Sequence, residues 1–216
     1  MGFDATAEGA KKRDYWWTVL ATDPVALPAA RFLARRRWLT PDQVTALALL
    51  TGLSTGVLFA TGTRWGLVAG GLVFYGAFVL DCIDGKLARA LGVTSPRGEA
   101  LDHLADGGRR ASASLGVALY LSKTDGDILW AIVYAILAYF FLEISGAEKK
   151  SAPDGLGGRI SHALARRRLL PNPGMPDVQA VVFIVGPITG AVIPALGVGI
   201  GMVAAAILLT VYRRLR

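Results

Sequence analysis

The sequence predicts an all-α integral membrane protein of six transmembrane helices, with both termini cytoplasmic and an amphipathic interfacial helix near the N-terminus. Three observations predict this. Of the 216 residues, 53% are hydrophobic and only 18% charged, where a soluble domain carries about a quarter charged residues. Mean hydropathy is +0.47, with the apolar residues gathered in long blocks rather than short alternations. The basic residues bracket those blocks instead of forming one stripe, so the net charge of +7 points to membrane topology and anionic lipid, not to nucleic acid.

In chain order, residues 1–39 read as a cytoplasmic segment and residues 40–216 as the membrane domain. No apolar stretch precedes Lys11, Lys12 and Arg13, so a cleaved secretory leader is not expected. Pro24 to Trp38 mixes Val25, Leu27, Phe32 and Leu33 with Arg31 and Arg35 to Arg37, which suits a helix lying in the interface plane. Thr40-Pro41 opens the first span, to about Ala60, proline being tolerated in a first helical turn. The second runs from about Trp65 to Leu80 and continues as helix through DCIDGKLARAL; the third covers about Gly98 to Leu121 and the fourth Ile128 to Ile144. The fifth and sixth, Val178 to Ile193 and Ala195 to Tyr212, are split at Pro194. The longest cytoplasmic loop, Ser151 to Pro176, contains GRISHALARRRLL as a second short surface helix, stopped by the breaker run PNPGMP. With the N-terminus inside, the outer loops carry only Arg64 and Lys123 as basic residues, and every basic cluster falls inside. Five spans would place either the basic tail or the basic 149–168 loop outside, against the positive-inside rule.

Carboxylates in a membrane protein are expensive and mark function. Asp81 and Asp84 are three apart and share a helical face; Asp102 and Asp106 are four apart and share a face on the next helix. The two helices run antiparallel, so both pairs fall at their cytoplasmic ends and four carboxylates converge. Such a cluster repels itself unless it takes up protons or divalent cations. Oxygen-only ligands without clustered cysteine or histidine favour Mg2+ or Mn2+ over zinc. Solvated helix caps are the plainer reading, yet caps do not require matching face spacings on consecutive helices. Gly85 and Gly98 let a large ligand approach the backbone, Ala88 adds little bulk, and Arg89 offers a fork to phosphate. The combination reads as phosphoryl chemistry on a diphosphate.

Written out, DCIDGKLARALGVTSPRGEALDHLAD fixes Asp81, Asp84-Gly85, Ala88-Arg89, Gly98, Asp102 and Asp106. At every fixed position it resembles the eight-residue signature of the CDP-alcohol phosphotransferase family of membrane enzymes. The resemblance to that family's six-helix core runs from about residue 40. It implies transfer of a phosphoalcohol from a CDP-alcohol, usually CDP-diacylglycerol, to a second alcohol, with release of CMP. It implies Asp81, Asp84 and Asp102 as metal ligands, with Asp106 at the metal edge and acting as general base. It also implies Asp84, Gly85, Ala88, Arg89, Gly98 and Asp102 around the CDP-alcohol, and a homodimer. Pro41-Asp42-Gln43-Val44-Thr45 resembles the family's Pro-Asn-x-x-Thr segment with Asp42 in place of asparagine, and Thr45 equally reads as an ordinary helix residue.

Arg109 and Arg110 either hold an anionic acceptor or serve in structural pairing. Lys149, Lys150 and Arg159 either join them or simply supply inside-positive charge. His103 points about 100° around the helix from the carboxylate face. Inositol phosphate is the favoured acceptor, with glycerol 3-phosphate or a non-lipid CDP-alcohol donor as alternatives in the same chemistry. A cation transporter built on the aspartates is the competing class, but no inverted repeat stands out and the aspartates sit at the membrane edge.

Overall fold

The computed structural model describes residues 10–124, 127–146, 164, 166–170 and 172–215. The described chain is all helix apart from one isolated parallel β-bridge between Asp14 and Leu169. A π-helical turn, Thr18–Thr22, leads into α1 (Asp23–Arg36). Then follow α2 (Pro41–Phe59), α3 (Arg64–Leu91), α4 (Pro96–Thr124) and α5 (Leu129–Gly146). The last two are α6 (Met175–Thr189), interrupted by the π turn Val181–Val185, and α7 (Val192–Arg214).

Local chemistry sets these boundaries. Thr40 caps α2 in a reciprocal box: its hydroxyl accepts from the Gln43 N–H at 3.3 Å, and Gln43 Oε1 accepts from the Thr40 N–H at 2.9 Å. Thr63 caps α3 through the Gly66 N–H, and Gly92, at φ 66°, ends it. The sequence places the break between the last two helices at Pro194. In the structure it falls at Gly190, whose φ of 84° turns the chain, while Pro194 is absorbed into the first turn of α7, where its missing N–H has no partner to lose. Across that turn the Arg64 guanidinium donates to the carbonyls of Pro187 and Ile188, satisfying the open end of α6.

Among the described residues three helices, α2, α3 and α7, are long and apolar enough to cross a membrane; α5 and α6 are apolar but shorter. The α4 helix has 29 residues, but its first half carries the charges of Arg97, Glu99, Asp102, Asp106, Arg109 and Arg110. Outward-facing Leu50, Val57, Leu72, Ile136 and Leu208 are all exposed. Continuous apolar exposure of this kind suits lipid rather than water. The chain is a multi-pass membrane protein. The predicted helix over 158–170 lies largely outside the described residues.

The α2 helix lies along both α3 and α4. Its crossing with α4 is set by glycine: a Cβ at Gly56 would meet the Ser112 carbonyl oxygen at 2.2 Å, and one at Gly116 would meet the Gly56 carbonyl oxygen at 2.5 Å. Small residues let the backbones touch, as in the small-xxx-small packing of membrane helices. The α1 helix packs against α2 and α3 through Ala26, Ala30, Val44, Val79, Ile83 and Leu87. A larger core joins Phe59 of α2 and Phe74 of α3 to Leu121, Tyr134, Phe183 and Leu196 from α4 to α7.

Candidate active site

Where α2 begins, α3 ends and α4 begins, the three helix ends enclose a cavity of about 450 Å³. Its walls include Asp84, Gly85, Ala88 and Arg89 of α3 and Gly98 and Asp102 of α4. These are six of the eight positions in the spaced run described above. Their helices put them there for simple reasons. Asp84 with Ala88, and Gly85 with Arg89, are each four apart and so stack along α3, and Gly92 stops that helix so that Val93 to Ser95 can turn the chain over the cavity. The Ser95 hydroxyl then accepts the Gly98 N–H at 3.0 Å, starting α4.

Asp84 is buried and accepts a hydrogen bond from the Thr45 hydroxyl of α2 at 2.6 Å. Pro41, Asp42 and Thr45 all line the same cavity, so the segment left open between two readings in the sequence forms one of its walls. Close approach matters at two glycines. A Cβ at Gly85 would meet Arg89 Nη1 at 3.2 Å, and one at Gly98 would lie 3.3 Å from Ser95 Oγ and 3.6 Å from Asp42 Oδ1. Side chains there would fill the cavity from both sides.

Asp81 and Asp106 are organised differently. Arg109, 2% exposed, lies over the Phe74 and Phe78 rings, 5.5 and 5.0 Å from their centroids, in a double cation–π contact. From there it pairs with Asp81 Oδ1 at 3.5 Å and with Asp106. Arg110 pairs with the other oxygen of Asp106 at 3.1 Å. A Cβ at Gly52 would meet the Arg109 Cβ at 2.9 Å, so a glycine on α2 makes the room. The four carboxylates act on one another electrostatically, Asp81 on Asp84, Asp102 and Asp106 alike. Arg109 offsets that repulsion.

The predicted acceptor residues divide. Arg109 and Arg110 are engaged with carboxylates, whereas Lys149, Lys150 and Arg159 lie outside the described residues, as does His162. His103 is exposed. The chemistry of the donors fits a hard divalent cation: all four are carboxylates, and Asp81 Oδ1 is buried without a hydrogen-bond partner, the 3.5 Å ion pair being too long to count as one. Among the described residues, no three such groups are drawn in around a single point.

A bundle of apolar helices with a carboxylate- and arginine-lined cavity at one end defines a membrane protein built to handle a polar, phosphate-bearing ligand. Residues 38–212 match the CDP-alcohol phosphatidyltransferase family, and the chain belongs to that family. It is 28% identical over 137 residues to the phosphatidylinositol phosphate synthase of Cutibacterium acnes, an alignment covering 62% of this chain and 64% of the relative. The chain thus spans less than two thirds of that protein's length. The crystal structure of Mycobacterium tuberculosis phosphatidylinositol phosphate synthase with CDP-DAG bound has the same fold. Its TM-score is 0.61 at 24% identity, over 89% of this chain and 92% of that one.

Proposed function

We propose that the protein transfers a phosphatidyl group from a CDP-alcohol, CDP-diacylglycerol, to a polar alcohol, inositol phosphate, and releases CMP. The observation that carries this reading is the cavity itself. Six positions of the family signature, Asp84, Gly85, Ala88, Arg89, Gly98 and Asp102, wall one space of about 450 Å³, within the range of small-molecule sites.

In this reading Arg89 offers its guanidinium fork to the diphosphate, and Gly85 and Gly98 leave the backbone open to the nucleotide. Asp81, Asp84 and Asp102 would hold Mg2+ or Mn2+, which when bound supplies charge neutralisation for the phosphoryl oxygens and the CMP leaving group. Thr45 orients Asp84 by its hydrogen bond. Asp106 accepts the proton of the attacking hydroxyl, a role that requires an ionised carboxylate, and it pairs with the neighbouring Arg109 and Arg110. Arg110, with a quarter of its side chain exposed, is the arginine placed to meet an anionic acceptor as well.

The same reading sets the topology. Six spans with both termini and the cavity on the cytoplasmic side place the basic clusters inside, and α4 crosses by its apolar second half. The outer side then holds Arg64 and Lys123, each spent on helix-end carbonyls, Lys123 on Ala60 at 2.6 Å. The protein acts as a homodimer in the cell membrane, as the family resemblance implies.

The test is CMP release by purified protein from CDP-diacylglycerol, with inositol phosphate, glycerol 3-phosphate, serine and inositol supplied separately. Release should appear with inositol phosphate, stop with chelator and return with Mg2+ or Mn2+. Release with glycerol 3-phosphate alone would reassign the acceptor. Absence of metal-dependent release with every acceptor would overturn the reading.

A further inference from the structure

Behind the cavity, on the far side of α3, is a second buried charge cluster that the proposed chemistry does not use. Lys86 follows Asp84 by two residues, about 200° around the helix, and points away from the cavity. Both Lys86 and Asp23, the first residue of α1, are buried, their side chains 4% and 5% exposed. Lys86 Nζ lies 3.0 Å from Asp23 Oδ1 and donates also to the Cys82 carbonyl at 3.3 Å. The other Asp23 oxygen meets Arg168 Nη1 at 3.1 Å. One carboxylate therefore serves two cations from distant parts of the chain.

Arg168 is itself a junction. Its backbone adopts φ 62°, a conformation unusual for a residue with a side chain. Its Nε and Nη2 donate to the Lys11 carbonyl at 3.3 and 3.0 Å, and its carbonyl accepts the Asp14 N–H at 2.9 Å. The next contacts run in step: Leu170 N–H to the Asp14 carbonyl at 3.0 Å, the Trp16 indole to the Leu170 carbonyl at 2.7 Å, and the Trp17 N–H to Asp177 Oδ1 at 2.6 Å. On the other flank, the Tyr75 hydroxyl of α3 donates to the Ala21 carbonyl at 2.7 Å. Residues 10–22 thus form a strap across this end of the bundle, and Asp23 ties it to α3 and to the stretch leading into α6.

We infer that Asp23 is a positioning residue: through Lys86 it fixes the rotation of the α3 turn that presents Asp84 and Gly85 to the cavity, and through Arg168 it makes that position depend on the strap. A buried ammonium paired with a carboxylate cannot turn away without losing that countercharge. The turn of α3 is therefore held from behind while Thr45 holds Asp84 from the front. The strap, not only the helix bundle, shapes the nucleotide cavity.

The inference rests on the proposed nucleotide site, and its test separates the two. Binding of CMP is measured by titration in detergent for the wild type, Asp23→Asn, Lys86→Arg and Arg168→Met. Cleavage by trypsin after Lys11, Lys12 and Arg13 reports the strap. Arg168→Met changes a partly exposed side chain and keeps the Asp23–Lys86 pair, so it serves where Asp23→Asn does not fold. Asp23→Asn and Arg168→Met should both speed trypsin cleavage and weaken CMP binding about tenfold or more, as for partners that orient ligating groups from behind. Lys86→Arg, which keeps the cation, should retain most of the affinity. Faster cleavage with unchanged CMP affinity would reduce the cluster to a structural contact and overturn the inference. A wild type that binds no CMP would instead remove the proposed nucleotide site, and this inference with it.

Discussion

Arg109 of α4 and Asp81 of α3 meet 3.5 Å apart, the guanidinium lying over the Phe74 and Phe78 rings. That arrangement joins two helices that otherwise touch little, and it does so beside the residues proposed for metal binding. Removing one partner of a buried ion pair leaves the other charge without compensation and is destabilising by about 3–5 kcal/mol. Arg109→Met should therefore lower the unfolding temperature in detergent sharply. Arg109→Lys keeps the charge but cannot reach two carboxylates from one planar fork, and it should fall between the two. Equal stability of all three proteins would show that the pair contributes nothing.

The Thr45 hydroxyl links α2 to the cavity wall of α3 through Asp84, at 2.6 Å. A hydrogen bond to a charged group is worth about 1.5–3 kcal/mol. Thr45→Val should weaken CMP binding accordingly, and Thr45→Ser should restore it because the hydroxyl returns. Should valine bind CMP as tightly as threonine, Asp84 needs no orienting donor.

Two glycines on the bundle make a controlled pair. A methyl at Gly56 would fall 2.2 Å from the Ser112 carbonyl oxygen, whereas nothing lies within 4 Å of one at Gly76. Gly56→Ala forces backbones apart and should be destabilising by about 1–3 kcal/mol or more. Gly76→Ala should be neutral or gain up to about 1 kcal/mol from helix propensity. Thermal unfolding of the two single variants checks the contrast, and similar behaviour of both would mean that α2 and α4 do not touch here.

Asp106→Asn separates binding from chemistry. General base catalysis contributes about 10²–10⁴-fold, so turnover should fall by that order while CMP binding is largely retained. Turnover at the wild-type rate would remove Asp106 from the proton-accepting role.

The helices were legible because each carries its own local signal. Thr40-Pro41 announces the start of α2 in neighbouring residues, and the apolar blocks are continuous; the Gln43 and Thr63 caps emerged only with the structure. The cavity was legible because its residues repeat at helical spacing within one run of 26, Asp81 to Asp106. The contacts that cross the chain were not. Asp23 and Lys86, or Arg168 and Lys11, are joined only after the helices pack, and nothing in their sequence neighbourhood names the partner. Arg109 illustrates the same limit: spacing puts it one turn beyond Asp106, but its seat over Phe74 and Phe78 depends on Gly52 of a third helix. Pro194 misled for a different reason. Proline breaks a helix interior and suits a first turn equally well, and the positive φ at Gly190 decided which.

The meeting of Gly56 and Gly116 has one more consequence. Where peptide lies directly against peptide, no rotamer change can absorb a shift, so the spacing of those two helices is as rigid as the main chain itself. Thr45 and Asp102 are carried to the cavity on that doublet, so the two helices that bring them there approach it as one unit.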